Sequence, residues 1–356
     1  MSLDPPYGER DPGDMAGRID GIPEQIEAAL ERMAASPWKH RDRPAALAVG
    51  GMGGSAIAAD LTFDLYADAM PFPLIVVRDY HWPKAVTRDA LAVLCSYSGD
   101  TEETLSLYRD AGERGTARAA ITTGGALARA CERDGVPWAE VPFGSPPRAA
   151  LFSTWVPLTF LVHAVGGCDD PAPDWRDAIT RLRALRERIG TQVPESVNPV
   201  KQMARRLAGR HLYIYGGIPR TAAAATRFRQ QINENAKLPA HSAVAPELNH
   251  NEIVAWERPD AFHHRLGVIV LRDVEDSPEV AIRLELTADY ARRQGAEVQV
   301  FDSQPGGRLA RLAAQVMVGD TLSLYLALVR GVDPTPVASI DEFKRRLAEA
   351  RPKREC

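Results

Sequence analysis

The chain has 356 residues, 45% of them hydrophobic and 25% charged, with a formal charge of −4. This is room for one large or two ordinary globular domains, and a weakly acidic balance gives no broad attraction to nucleic acid. No run is read as approaching the roughly 20 apolar residues of a bilayer span, so no membrane partner is expected, and the polar, Pro/Gly-rich residues 1–18 read as a flexible tail on a cytoplasmic protein.

In chain order, Ile22, Ile26, Leu30 and Met33 predict an amphipathic helix over Asp20 to Ala34. Pro44 to Val49 is a short apolar strand that ends in Gly50-Gly51-Met52-Gly53-Gly54-Ser55 and leads into a helix from Ala56 to Leu65. Strand, glycine turn and helix form the first unit of an open α/β sheet. Further strands are expected at Leu74 to Val77, Leu91 to Cys95, Arg118 to Ile121 and Trp138 to Val141, with helices at Thr101 to Glu113 and Leu127 to Arg133. The alternation implies a parallel sheet whose ligands bind beyond the carboxyl ends of its strands. A buried helix from Ala149 to Val165 closes this first unit, residues 19–168.

Residues 169–199 read as a linker that carries an Arg-rich helix from Trp175 to Ile189. A second unit, residues 200–332, repeats the opening theme with a strand at His211 to Tyr215, a Gly216-Gly217 turn and a helix from Arg220 to Asn233, a duplication of pattern. Leu266 to Leu271 and Glu297 to Phe301 supply more strands. Ser277-Pro278-Glu279 opens a helix that Gly295 ends, and Arg308 to Val329 is a long helix. In residues 333–356, Ser339-Ile340-Asp341-Glu342 reads as a capping box for a last helix that carries Lys344.

Three stretches carry candidate chemistry. Between Gln231 and Glu252, Pro239 and Pro246 are expected to put Glu234, Lys237, Glu247, His250 and Glu252 on a helix end and loop. At roughly 100° per residue, Glu234 points away from the helix face formed by Ala225, Phe228 and Ile232. An ordinary polar connection is the plain alternative, set against an unusual density of ionisable groups. Gly51 to Ala56 fits Gly-x-Gly-x-x-Ala, with Asp79 after the next strand where a ribose-binding acid of an NAD(P) site would sit; a purely steric glycine turn is the alternative. Ser96-Tyr97-Ser98-Gly99-Asp100-Thr101 puts three hydroxyls at a helix start, a cradle for a phosphate monoester. A cap at Asp100 or Thr101 with Glu103 would leave Ser96 and Ser98 without a role. Cys95, Cys131, Cys168 and Cys356 are dispersed and suggest neither a disulfide framework nor a zinc site. His263-His264 has no ligand set around it and reads as a surface turn.

Taken in order, Gly51 to Ser55, Ser96 to Thr104, Pro147-Arg148-Ala149-Ala150, Asn233 to Lys237 and Pro246 to Glu252 resemble the bifunctional phosphoglucose/phosphomannose isomerases of the sugar isomerase (SIS) class. The likeness runs from about Ala45 to Leu347. It implies an α/β fold of two SIS subdomains, each a five-stranded parallel sheet flanked by helices, in a homodimer. It also implies interconversion of glucose 6-phosphate or mannose 6-phosphate with fructose 6-phosphate, without a metal or organic cofactor. Carried across, Ser55, Ser96, Ser98 and Thr101 hold the phosphate, with Gly53 and Gly54 letting the backbone approach. Glu234 matches the base that moves a proton between C1 and C2 through a cis-enediolate, and Arg148 the cation beside the developing oxyanion. His250 matches a ring-opening imidazole that enters from the neighbouring subunit, and Lys344 a lysine near the ring oxygen.

Two departures stand out. Asp100 replaces an asparagine of several relatives, which puts a carboxylate beside a dianion unless it turns to a helix cap. The resemblance does not align, within Thr335 to Ser339, the threonine that lets the family accept both C2 epimers. The competing readings are a non-catalytic SIS module that senses a phosphosugar and an NAD(P)-dependent oxidoreductase built on Gly51 to Ala56. No helix-turn-helix or basic arm points to a DNA-binding regulator.

Overall fold

A computed structural model describes residues 2–35, 37–39 and 42–350. The first half runs α1 (Met15–Asp20), α2 (Ile22–Met33), β1 (Leu47–Gly51), α3 (Gly53–Tyr66), β2 (Leu74–Val77), β3 (Leu91–Ser96), α4 (Glu102–Glu113), β4 (Ala117–Thr122), α5 (Gly125–Asp134), β5 (Trp138–Glu140) and α6 (Leu151–Ala164). The chain continues through α7 (Ala172–Ile189), α8 (Pro199–Leu207), β6 (His211–Gly217), α9 (Ala222–Ala236), β7 (Ala240–Ala245), β8 (Leu266–Arg272), α10 (Pro278–Arg293), β9 (Glu297–Asp302), α11 (Arg308–Arg330) and α12 (Ala338–Ala350).

All strand pairs are parallel, in two sheets ordered β2-β1-β3-β4-β5 and β7-β6-β8-β9. The α/β class and the two-sheet plan stand as expected. The second sheet is corrected from five strands to four among the described residues. One of its strands, β7, lies where only loop was expected: the prolines at 239 and 246 bracket a strand instead of excluding one, because Pro is tolerated at strand boundaries.

Each sheet buries both faces, which is why its central strands read as continuous apolar runs. The outer face of the first sheet packs on Leu107, Tyr108, Leu127 and Cys131 of α4 and α5. The outer face of the second packs on Val280, Leu284 and Ala288 of α10. Between the sheets lies a shared helical layer in which α3, α6, α7, α9 and α11 meet in one core. Trp175 of the expected linker is fully buried there, its ring 5.0 Å from Trp155 and nearly perpendicular. The linker helix α7 is thus a core element.

The opening residues are also packed, unlike the expected tail. Leu3 is fully buried, and Asp4 accepts hydrogen bonds from Lys201 Nζ (2.9 Å) and Glu195 N (2.8 Å). The carboxylate of Asp11 accepts from the N–H groups of Met15 and Ala16, both at 2.8 Å, and so starts α1. A further correction concerns α11: over its 23 residues it is long and apolar enough to cross a membrane, but 94% of its most apolar window is buried inside the protein. Cys95, Cys131 and Cys168 are free thiols, while Cys356 lies outside the described residues. The last helix opens one residue ahead of Ser339, after Val337 accepts the first hydrogen bonds, so the expected capping box falls inside the helix.

Candidate active site

β1 and β3 are neighbours, yet the chain leaves β1 for β2 on one side before it returns to β3 on the other. A crevice therefore opens at their carboxyl ends. The turn after β1 opens α3 with Gly53, whose φ of 49° lies in the left-handed region, followed by Gly54 and the buried Ser55. A Cβ on Gly54 would stand 3.2 Å from the carbonyl oxygen of Pro147, so glycine lets the helix start press against the 3-10 turn Pro147–Ala150 without displacing it. Across the crevice, the buried Ser96 donates through Oγ to Thr101 Oγ1 (2.9 Å) and accepts from Gly99 N (3.1 Å). Ser98 is exposed and accepts from Asp100 N at 3.2 Å.

Neither Met52 nor Thr101 caps its helix through a side chain, so the N-cap side chains do not cover the amino-terminal ends of α3 and α4. Two such helix starts beside four hydroxyls make an anion socket. The alternative reading, an α4 cap at Asp100 or Thr101, is not seen: Thr101 Oγ1 is engaged by Ser96. Asp100 turns to a different helix: its Oδ1 accepts from Ala126 N at 2.8 Å, at the start of α5.

Glu234 lies in the last turn of α9, which ends where Lys237 takes a left-handed conformation, φ 52°. Its side chain is about one-third exposed and borders a cleft of about 530 Å³, together with Asn233, Lys237 and residues 336–340. Arg148 is buried, being only 3% exposed. It donates from Nε to Asn235 Oδ1 (2.7 Å) and from Nη2 to the carbonyls of Pro334 (2.6 Å) and Thr335 (2.7 Å). Its Nη1 is 3.6 Å from Glu234 Oε2. Burial pushes this guanidinium below its ordinary value and Glu234 opposes the shift; starting from an arginine, it remains a cation. Since the Pro147–Ala150 turn also abuts Gly54, Arg148 joins the anion socket to the carboxylate. A carboxylate and a fixed, desolvated cation beside an anion socket can move a proton while stabilising an oxyanion.

The remaining expected residues are not drawn into this contact. His250 is exposed at the end of the 3-10 turn Glu247–His250, just beyond β7, and Lys344 is exposed on α12. Among the described residues, no hydrogen bond or ion pair joins either to Arg148 or Glu234. The ionisable crowd from Gln231 to Glu252 divides: Glu234 and Lys237 border the cleft, whereas Glu252 is held by Tyr215 Oη (2.7 Å) and His241 Nε2 (2.9 Å). Asp79 bonds its own neighbour, Tyr80 N at 2.6 Å, which gives the ribose-binding reading no support. His263 is corrected from surface turn to buried support, 3.1 Å from both Asp260 Oδ1 and Ala255 O. Asn235, Arg227 and Asp320 were not singled out in the sequence. Asn235 lies one residue from the candidate base, but its inward direction depends on the helix packing.

The matching turn of the second sheet is closed by the chain itself. Gly217 N donates to Thr221 Oγ1 (2.7 Å), and the loop after β8 is acidic where the first half has serines. Arg311 holds Asp273 (3.0 Å) and Glu275 (2.6 Å), and Arg308 also holds Glu275 (2.6 Å). Arg220 and Arg308 each reach Asp68 of the first half at 2.7 Å.

A model of the bacterial phospho-glucose isomerase C-terminal SIS domain matches residues 196–347. A bifunctional phosphoglucose/phosphomannose isomerase of Caldicellulosiruptor bescii is 39% identical over 94% of this chain and 98% of its own length. Another, from Aquifex aeolicus, is 32% identical over 83% of this chain and 88% of its own. A hypothetical protein from Thermus thermophilus superposes with a TM-score of 0.70 at 16% identity, covering 97% of this chain and 92% of that one, a likeness of fold alone.

Proposed function

The chain belongs to the family of bifunctional phosphoglucose/phosphomannose isomerases, and on that premise we propose that it interconverts glucose 6-phosphate and/or mannose 6-phosphate with fructose 6-phosphate. The observation that carries this reading is the 3.6 Å approach of Arg148 Nη1 to Glu234 Oε2, on the turn that abuts the start of α3. A hexose anchored by its phosphate at Ser55, Ser96, Ser98 and Thr101 lays its first carbons toward this pair. Glu234 takes the proton from C2 and returns it to C1, and the Arg148 cation stabilises the enediolate oxygen between the two transfers. Oriented general-base catalysis of this kind contributes about 10² to 10⁴-fold.

His250 opens the sugar ring as the imidazole of a second copy of the chain, a role supported by its own exposed position just beyond the edge strand β7. Lys344 assists at the ring oxygen, two turns into the helix whose start borders the cleft beside Glu234. The working unit is accordingly a homodimer, and no cofactor is needed for this proton transfer. The test measures fructose 6-phosphate formation from glucose 6-phosphate and mannose 6-phosphate by wild type and Glu234→Gln. Turnover by wild type with near-complete loss in the variant is expected; equal rates would rule out Glu234 as the base.

A further inference from the structure

Asp320 is an anomaly in its helix. Among the described residues α11 is the one helix long and apolar enough to cross a membrane, and Asp320 sits in its middle, only 3% exposed. Its carboxylate is gripped by Arg227 of α9, with Nε to Oδ1 at 3.0 Å and Nη2 to Oδ2 at 2.8 Å. The two helices come this close because Gly319 carries no side chain; one there would run into the ring of Phe228. A buried ion pair contributes little net stability, since removing two charges from water costs about what their attraction returns, and apolar residues of similar size often serve as well. A stability role therefore does not explain the pair.

Its other contact does. Arg227 Nη2 also donates to the backbone carbonyl of Arg148 at 2.5 Å. The same helix supplies Asn235, whose Oδ1 receives Arg148 Nε and whose Nδ2 donates to Ser323 Oγ at 2.9 Å. Ser323 Oγ in turn donates to the Asp320 carbonyl at 2.6 Å. Backbone and side chain of Arg148 are thus both referred to one rigid pair of helices, and one of them carries Glu234.

We propose that Arg227 and Asp320 are positioning residues that fix Arg148 at its distance from Glu234 during isomerisation, an inference that rests on the isomerase reading above. Arg227 touches no substrate; it acts through the Arg148 carbonyl. A displacement of about 1 Å in such a constellation costs on the order of 10²-fold in rate.

The test compares wild type, Arg227→Lys and the double variant Arg227→Met/Asp320→Leu, recording melting temperature, kcat and KM for each hexose phosphate. The lysine variant keeps the charge pair but loses the forked donor, and the apolar pair keeps the volume without the bond to Arg148. The expected result is that both remain folded, with KM within about threefold of wild type and kcat lowered roughly 10²-fold. Unchanged kcat in folded variants overturns the inference while leaving the isomerase reading intact. So does unfolding of both variants, which would make the pair a folding element. A wild type without turnover overturns the isomerase reading and this inference with it.

Discussion

Asp64 Oδ2, near the end of α3, accepts a hydrogen bond from the backbone N–H of Ala223, in the first turn of α9, at 2.7 Å. The helix that opens at the anion socket and the helix that ends at Glu234 are therefore tied at their far ends. They meet again at their functional ends through the Pro147–Ala150 turn. Burial pushes the Asp64 carboxyl from 3.8 up to about 8, with the Ala223 N–H opposing and the neighbouring Asp60 adding to the rise. An acid whose folded value is raised holds its proton in the native state but not in the unfolded one. Stability from this group is therefore present at low pH and lost as pH rises from about 4 to about 8, by up to about 1.4 kcal/mol per pH unit.

Asp64→Asn should remove that dependence. Thermal melts of both proteins at pH 5 and pH 8 should show the variant gaining on wild type at the higher pH. Parallel behaviour of the two proteins would mean that Asp64 does not titrate in this window.

Arg148→Lys should retain a positive charge and lose the geometry. A lysine cannot serve Asn235 and the carbonyls of Pro334 and Thr335 together with Glu234. We expect kcat to fall by about 10² to 10³-fold, the scale of losing a fixed oxyanion donor, and stability by about 1–3 kcal/mol as buried acceptors go unpaired. Steady-state kinetics beside urea titration would separate the two effects; wild-type kcat in the variant would dismiss the oxyanion role.

Gly54→Ala probes the join between socket and base. Its Cβ, 3.2 Å from the Pro147 carbonyl, would push the turn bearing Arg148 by a few tenths of an ångström. Activity should suffer more than folding: a tenfold or larger loss of kcat/KM is expected, of order 10-fold to 10²-fold, with a stability cost of about 1 kcal/mol. An alanine enzyme with full activity would show that the approach of α3 to the turn is not critical.

Lys237 binds the carbonyls of Glu234, Pro334 (3.1 Å) and Pro336 (2.7 Å), which pins the strap before α12 to the end of α9. Lys237→Gly would relieve the left-handed backbone, a gain of about 1 kcal/mol, but release the strap. Hydrogen exchange over residues 333–340 should accelerate while the helix stays protected; unchanged exchange there would mean the strap is held by other contacts.

Asp100→Asn should keep the bond to Ala126 N, since an amide oxygen can still accept, and remove a negative charge near the socket. KM for a sugar phosphate is expected to fall, by less than about tenfold because the charge is exposed and screened. A rise in KM would show that the carboxylate aids binding.

Much of this was legible from residue order because each half follows the rule of strand, glycine turn and helix. The apolar runs at Leu74–Val77 and Leu91–Cys95 form β2 and β3, on either side of β1 in the first sheet, and the Ser277 cap accepts from Val280 N as its motif predicts. Glu234 and the hydroxyl loop were readable because their chemistry is concentrated in short stretches. What escaped was set by distant partners. β7 is built mostly from small residues and forms because β6 offers it an edge. Residues 2–18 read as tail because their anchors, Glu195 and Lys201, are almost two hundred positions away. Arg227 and Asp320 look like misplaced charges until α9 and α11 are laid together.

The ionic knot at the second sheet's turn has a consequence for stoichiometry. An incoming phosphate would have to evict Asp273 and Glu275 from Arg308 and Arg311, and would also loosen the grip on Asp68 that braces one half against the other. The duplicated architecture is thereby asymmetric: one turn carries hydroxyls, while its twin engages its own carboxylates and serves as a buttress.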